Sequence, residues 1–384
     1  MKDIKQTGNH LGRGSFGYVV EVIHAGALCA AKVIHEGLVD AGHQEIIKKI
    51  QRECHIMSSL RHPNIVQFLG ICFFSEGTAP VIVMECLDAN LETLLTQTNN
   101  LSTPAKIKVL LDVAKGLVYL HTLSPPIIHR DLTARNVLLT NTLMAKIGDL
   151  GNSRIIESNT LTNTLSSFPG TLVYMPPEAM ATPPLYNEKL DIFSYGHLAL
   201  YTALQDFPCQ LLQGVYHDPK KPNKIRARNE VERRFRYVGN LRTRFGPHHT
   251  FTKLVTECLH NHPETRPSAV EVLQQLQALQ KEHGSEGMRF SLSDYIHMPE
   301  ERVKYSNQPK VHNLLERIKV SVSLAQACSF LMPSRFSACN VEKVKVGVPE
   351  DKAASLSNCF LFMLGINCTF FIIEWWNGPT GERK

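Results

Sequence analysis

The hydrophobic rhythm of the chain changes near residue 85. Before that point apolar residues come in short, β-branched runs. A strand, a glycine turn and a second strand are predicted over residues 11–23, where Tyr18-Val19-Val20-Glu21-Val22-Ile23 has strand composition. Residues 28–34, 65–73 and 80–84 read as further strands, with a turn at 75–78. One helical period interrupts them: Ile46, Ile47, Ile50, Ile56, Met57 and Leu60 recur at helical intervals, until Arg61-His62-Pro63-Asn64 breaks the pattern. From residue 88 helices dominate. They are predicted over 91–96 and 104–123, the second with a broad apolar face that includes Ile107, Leu110, Leu111, Ala114 and Leu117. A short buried strand follows at 137–139, and an amphipathic helix at 270–279 closes the segment. The expected fold class is α+β: a small β-rich lobe over 1–87, a hinge at 85–88 and a larger helical lobe over 88–283.

Residues 283–287 read as a linker into a tail, 284–384. Within the tail, 314–327 has a helical pattern. The apolar run 359–373 is short for a bilayer span, which takes about 20 residues. A buried helix, a strand pair, a weak anchor and an unordered tail all stay open for it. The reading favours no membrane span, and membrane contact through the tail is not expected.

Composition narrows this little. The 384 residues are 43% hydrophobic and 20% charged, enough to bury a core. Ten cysteines without a C-x-x-C pair favour reduced thiols and a cytoplasmic setting over a disulfide framework. The first residues, Met1-Lys2-Asp3-Ile4-Lys5, hold no apolar segment of a secretory signal. The formal net charge of +6 suits phosphorylated ligands or acidic partners. Much positive charge sits between Lys220 and Arg244, a run that reads as a solvated face or a docking surface for acidic partners. Few aromatics interleave it, so no nucleic acid partner is expected.

Candidate chemistry appears at four places. Gly12, Gly14 and Gly17 let backbone N–H groups approach phosphate oxygens without Cβ interference. A strand-like sequence follows them, where a dinucleotide-binding loop would open a helix. Lys32 interrupts an apolar strand and needs a carboxylate partner; Glu53, on the predicted helix, is the candidate. In the stretch His129-Arg130-Asp131-Leu132-Thr133-Ala134-Arg135-Asn136, Asp131 could accept a proton from a hydroxyl and Asn136 could offer an oxygen to a hard cation such as Mg²⁺. Asp149, between glycines at a strand end, suits a metal that bridges phosphates.

Taken in order, Gly12-x-Gly14-x-x-Gly17-x-Val19, Lys32, Glu53, His129-Arg130-Asp131…Asn136, Asp149-Leu150-Gly151 and Pro176-Pro177-Glu178 resemble the eukaryotic protein kinase signature over roughly residues 8–283. Asp191-Ile192-Phe193-Ser194-Tyr195-Gly196 and Arg266-Pro267-Ser268 are similar to later landmarks of that family. The resemblance implies the bilobal protein kinase fold, ATP and Mg²⁺ as cofactors and protein substrates. It implies that the glycines cover the ATP phosphates, that Lys32 holds them while paired to Glu53, and that Asp131 is the catalytic base. It makes Asn136 and Asp149 the metal ligands. Met84 takes the gatekeeper position, and Glu85 and Cys86 present hinge backbone to adenine. Leu11, Val19, Ala30 and Leu138 complete the nucleotide-binding set, and Glu178 pairs with Arg266.

Leu150 and Pro176 depart mildly from the commonest family form. Acceptor specificity is mixed. Thr133 and Arg135 resemble the tyrosine-kinase catalytic loop, with Arg135 in that group's catalytic-loop arginine place. Thr171 and Tyr174 resemble the serine/threonine form of the substrate shelf, which contacts the acceptor directly. A tyrosine-kinase-like serine/threonine kinase accommodates both, with tyrosine or dual specificity as the alternative and a pseudokinase scaffold as the rival from another class. Pseudokinases lack one of the lysine, base or metal aspartate, whereas Lys32, Asp131 and Asp149 are all present.

Ser166 and Ser167 lie three or four residues before Gly170, where the family places an activating phosphate, and Arg130 is a cation that could pair with it. Phosphorylation there is expected to raise activity. A Ser166→Ala/Ser167→Ala double variant should therefore turn over more slowly than phosphorylated wild type in a transfer assay, and equal rates would contradict this.

Overall fold

The computed structural model describes residues 4–13, 17–24, 26–34, 44–73, 80–98, 100–156, 174–180, 187–205, 238–246, 248–284, 287–297, 360–364 and 370–374. Gly14, Ser166, Ser167, Thr171, the segment 206–237 with most of the basic run, and the expected helix 314–327 lie outside them. Backbone contacts divide the chain into two units: one of residues 1–61, 67–86 and 304–384, the other of 62–66 and 87–303.

The first unit holds a five-stranded antiparallel sheet of β1 (Ile4–Arg13), β2 (Gly17–His24), β3 (Ala27–Ile34), β4 (Phe68–Phe73) and β5 (Pro80–Glu85), in the order β1-β2-β3-β5-β4. Side chains alternate across a strand. Cys29, Ala31 and Val33 of β3 therefore join Val20, Val22, Leu69, Cys72, Val81 and Val83 in one apolar core. Two glycines make the β2–β3 hairpin feasible. Gly26, at φ +82°, takes the left-handed conformation the turn requires. At Gly17 a Cβ would stand 2.0 Å from the Val33 carbonyl oxygen. Helix α1 (Gln44–Ser59) buries Ile50, Glu53, Cys54 and Met57, which recur at i, i+3, i+4 and i+7. Glu53 is thus a charge on an otherwise apolar stripe.

The strand expected over 65–73 begins only at Phe68. Residues 64–66 pair elsewhere: Val66 N–H donates to the Ile147 carbonyl (2.9 Å), and Ile147 N–H to that of Asn64 (2.9 Å). The second unit takes this segment. Its helices include α2 (Leu91–Gln97), α3 (Thr103–Thr122), α4 (Lys189–Leu204), α5 (Thr250–Cys258) and α6 (Ala269–Glu282). Polar caps define the ends: Ser102 accepts from Ala105 N–H at α3, and Ser268 and Glu271 form a capping box at α6. Helix α4 is buried on all sides from Leu190 to Ala203, as the central element of the unit, and packs against α3 and α5. Short strands β6 (Ala89–Asn90), β8 (Val137–Leu139) and β9 (Ala145–Ile147) form one small sheet; β7 (Ile127–Ile128) and β10 (Arg154–Ile155) form another.

This unit runs beyond residue 283. Leu292 is fully buried and donates its N–H to the Asn141 carbonyl at 2.7 Å, and the Tyr295 hydroxyl meets Ser102 Oγ at 3.2 Å. Of the alternatives open for the apolar tail run, the structure has a strand pair: β11 (Phe360–Leu364) runs antiparallel to β12 (Phe370–Glu374), with Phe362 opposite Ile372. Among the described residues no helix is long and apolar enough to cross a membrane.

The implied Glu178–Arg266 pair is present and buried. Arg266 Nη1 and Nη2 reach Glu178 Oε1 and Oε2 at 2.5 and 2.8 Å. The remaining donors reach the carbonyls of His260, Lys189 and Asn261, so all five N–H groups are used. The guanidinium also lies over the Phe193 ring, 4.7 Å from its centre. Removing one partner leaves the other charge buried. Glu178→Ala is expected to destabilise the protein by about 3–5 kcal/mol in denaturant unfolding, and a loss below about 1 kcal/mol, the level of an exposed pair, would contradict this account.

Candidate active site

In the first unit the site side chains share one face of the sheet. Strand β3 pairs Val19 with Lys32, and Ala30 with Met84. Directly paired residues point the same way, so Val19, Ala30, Lys32 and Met84 lie on the face opposite the Ala31–Val33 core. Gly12 lies across from Val19 on β1 and is exposed; Leu11, before it, is partly buried. Lys32 is largely withdrawn from water, at 18% side-chain exposure, and its Nζ meets Glu53 Oε1 at 2.7 Å. A half-buried ammonium needs that carboxylate, which explains why Glu53 occupies the inward stripe of α1. Beside the pair, Cys54 has its thiol pushed far up by burial and then by the Glu53 charge. At the end of β5, Glu85 is itself buried. Its Oε1 accepts the Gln67 N–H at 2.7 Å and its own N–H reaches the Gln67 carbonyl at 3.0 Å, while Cys86 is partly exposed.

In the second unit a fully buried carboxylate organises the loop after β7. Asp191, in the first turn of α4, accepts the N–H of His129 (2.8 Å) and of Arg130 (2.9 Å), while His121 Nε2 lies 2.9 Å away. Two successive N–H groups aimed at one carboxylate bend the backbone sharply, and Arg130 takes φ 70°. The Arg130 side chain is buried with it. Next, Asp131 N–H donates to His129 Nδ1 (3.3 Å), which makes Nε2 the protonated nitrogen that donates to the Gly148 carbonyl (2.9 Å). One imidazole thus joins the Asp131 loop to the Asp149 turn.

Asn136 and Asp149 come together through the β8–β9 ladder. Val137 is opposite Ile147, and Gly148 N–H donates to the Asn136 carbonyl at 2.8 Å. Asn136 Nδ2 donates to the Asp131 carbonyl (2.8 Å) and to its Oδ2 (3.3 Å), which leaves the amide oxygen for a cation. Asp149 adopts φ 56°, ψ 71°, and its Oδ1 accepts the Gly151 N–H at 3.4 Å. Hard oxygen donors from a carboxylate and a carboxamide fit Mg²⁺. Leu138, between the two on β8, is partly buried. Arg135 is exposed, and its Nε pairs with Glu92 Oε2 at 2.6 Å in the first turn of α2, where Glu92 N–H also reaches the Ala134 carbonyl.

Four residues of this site escaped the sequence reading. Asp191 was noted only as a landmark, and His121, Asn152 and Ser153 were not singled out. Ser153 is buried and bonds the His129 carbonyl (3.3 Å), and Asn152 Nδ2 bonds Asp131 Oδ2 (3.3 Å). The β7–β10 register, Arg154 opposite Ile128, brings these residues to the loop, and pairing between two-residue strands leaves no periodic signal.

Burial alone would raise the Asp191 pKa. The His121 hydrogen bond, the electrostatic pull of the two imidazoles and the His129 N–H outweigh it, and the carboxyl sits below the ordinary value of 3.8. A folded-state pKa below the unfolded one stabilises the fold fully above the ordinary value, and that contribution disappears as pH falls through the folded value. Asp191→Asn, which replaces an acceptor oxygen with a donor, is expected to lose about 3 kcal/mol at neutral pH. The gap to wild type should narrow on acidification below about pH 4. A gap independent of pH would contradict the charge assignment.

Comparison with known proteins agrees with this geometry. The family model of the protein kinase domain matches residues 5–276. A probable serine/threonine-protein kinase of Dictyostelium discoideum is 32% identical over 273 residues, covering 70% of this chain and 24% of that protein. The serine/threonine-protein kinase VIK of Arabidopsis thaliana is 30% identical over 279 residues, covering 71% of this chain and 59% of that protein. A seven transmembrane domain-containing tyrosine-protein kinase of Dictyostelium discoideum is 33% identical over 281 residues, covering 71% and 38%. The match therefore spans about a quarter to three fifths of these relatives.

Proposed function

We propose, given that the chain belongs to the protein kinase family, that it transfers the γ-phosphoryl group of ATP to serine or threonine hydroxyls of protein substrates. The observation that carries this reading is the set within the second unit: Asp131, bonded by Asn136, with the Asn136 carbonyl bonded to the residue before Asp149. That set offers a base for a hydroxyl and two oxygen ligands for a cation. Mg²⁺, when bound, supplies charge neutralisation on the transferring phosphoryl oxygens.

The chain's own residues do the rest. Lys32, held by Glu53, pairs with phosphate oxygens as a fixed point charge. Open space around Gly12 leaves its backbone approachable by a phosphate, where a side chain would intrude. Asp131 accepts the acceptor's hydroxyl hydrogen and takes its proton as the new P–O bond forms and the bond from the γ-phosphorus to the bridging oxygen breaks, releasing ADP. The loop that carries Asp131 is pinned by Asp191 and His129, so little reorganisation is left for the reacting state.

Tyrosine or dual specificity is the second reading, favoured by Thr133 and Arg135 and by the relative named a tyrosine-protein kinase. The docked Arg135–Glu92 pair is consistent with a loop-bracing role under either reading. Reduced thiols at Cys29, Cys54, Cys72, Cys86 and Cys258 are compatible with a cytoplasmic location, which we propose as well.

Transfer of radiolabelled phosphate from ATP to a mixed serine, threonine and tyrosine peptide pool tests the reading. Wild type is expected to label the pool, and Asp131→Asn should fall by about 10²–10⁴-fold, the range of a general base. Phosphoamino-acid analysis should give phosphoserine or phosphothreonine. Wild-type labelling no higher than Asp131→Asn would defeat the enzyme reading, and phosphotyrosine alone would select the second one.

A further inference from the structure

The Asp131 carboxylate is held from two directions. Its Oδ2 lies 3.3 Å from Asn136 Nδ2 and 3.3 Å from Asn152 Nδ2. The two amides differ in what else they do. Asn136 directs its shorter bond, 2.8 Å, to the Asp131 carbonyl. For Asn152 no other side-chain hydrogen bond is recorded among the described residues.

The backbone explains why Asn152 arrives there. Leu150–Asn152 is a single 3₁₀ turn, capped before it by Asp149 and closed after it by Ser153 N–H on the Leu150 carbonyl at 2.9 Å. Ser153 Oγ bonds the His129 carbonyl, and the next two residues enter the ladder with β7, Arg154 against Ile128 and Ile155 against Ile127. Continuing that antiparallel register carries Asn152 to the level of Arg130, beside Asp131. The turn is fixed on both sides, so the Asn152 amide reaches the carboxylate with little freedom left to it.

We propose that Asn152 is a positioning residue for Asp131: its carboxamide holds Oδ2, and with it the plane of the carboxylate that meets the acceptor hydroxyl. This rests on the protein kinase reading. A carboxylate held by fewer donors must be ordered further at each turnover, which slows the chemical step and leaves ATP binding untouched. The amide also couples the turn of the metal aspartate to the base, since Asp149 and Asn152 are the two ends of one turn. Asn136 divides its amide between the Asp131 carbonyl and Oδ2 and keeps its oxygen for the cation, whereas the Asn152 bond goes to Oδ2 alone.

Transfer kinetics with the same peptide pool separate the outcomes. Asn152→Leu removes the donor at similar size and is expected to lower kcat roughly ten- to a hundredfold, the loss of one hydrogen bond to a charged group. The KM for ATP and the thermal midpoint should stay at wild-type values. Asn152→Asp sets a second carboxylate beside Asp131 and should be slower than Asn152→Leu. If wild type transfers phosphate in an Asp131-dependent way but Asn152→Leu retains its full kcat, the positioning role is overturned and the kinase reading stands. If kcat, ATP KM and thermal midpoint all worsen together, Asn152 is structural and the inference is likewise overturned. Absence of Asp131-dependent transfer in wild type defeats the kinase reading itself, and this inference with it.

Discussion

One buried charge sets the geometry of the second unit. Asp191 has no exposure to water, and the fold retains its charge only because three N–H groups converge on it. The demand runs both ways. The carboxylate needs those donors, and the donors can reach it only if the chain turns sharply at Arg130. That turn directs Asp131 away from the core and leaves His129 inside, where its ring bridges to Gly148. The position of Asp131 is thereby tied to the central helix α4, the most deeply buried helix among the described residues.

The first unit solves a similar problem with a pair of opposite charges. Lys32 lies on a strand whose neighbours are apolar, and Glu53 lies on the inward face of a helix. Either alone would be an uncompensated charge at a largely buried place. Together at 2.7 Å they keep an ammonium fixed on the sheet face that carries Val19, Ala30 and Met84. In both units a local violation of hydrophobic patterning marks the chemistry, and a designated partner compensates it.

Much of this was legible before any coordinates. The β-branched runs, the α1 stripe and the broad face of α3 have periods long enough to read, and the ends of β3, β5, α1 and α3 fall within two residues of that reading, whereas β1 starts at Ile4, seven residues before the expected strand. Lys32 stood out because it breaks an apolar strand, and Glu53 as the carboxylate on the predicted helix that could partner it. The start of β4 did not: Ile65 and Val66 are as apolar as the strand after them, and the bonds between 64–66 and Ile147 take them out of the sheet. Asn152 and Ser153 were silent for a related reason. Their roles come from strand pairing between segments 26 residues apart (Arg154 with Ile128), where each strand is two residues long. Asp191 was visible as a motif, but its partners on α3 and after β7 are set by tertiary packing. The strand pair at 360–364 and 370–374 illustrates the limit of apolar runs, which do not distinguish a strand from a buried helix.

Asp131, Asn136 and Asp149 are proposed to form a metal-assisted phosphoryl-transfer site. The most direct measurement is the Mg²⁺ dependence of transfer in Asp149→Ala beside wild type, with binding of a fluorescent ATP analogue followed in parallel. Wild-type transfer should rise and saturate with Mg²⁺. Asp149→Ala should still bind the analogue without metal, since Lys32 and Glu53 are intact, but transfer should be absent at every Mg²⁺ concentration. Transfer by Asp149→Ala within about tenfold of wild type would contradict the account, because the loss of a metal-held phosphoryl clamp is worth several kcal/mol, or more than two powers of ten in rate.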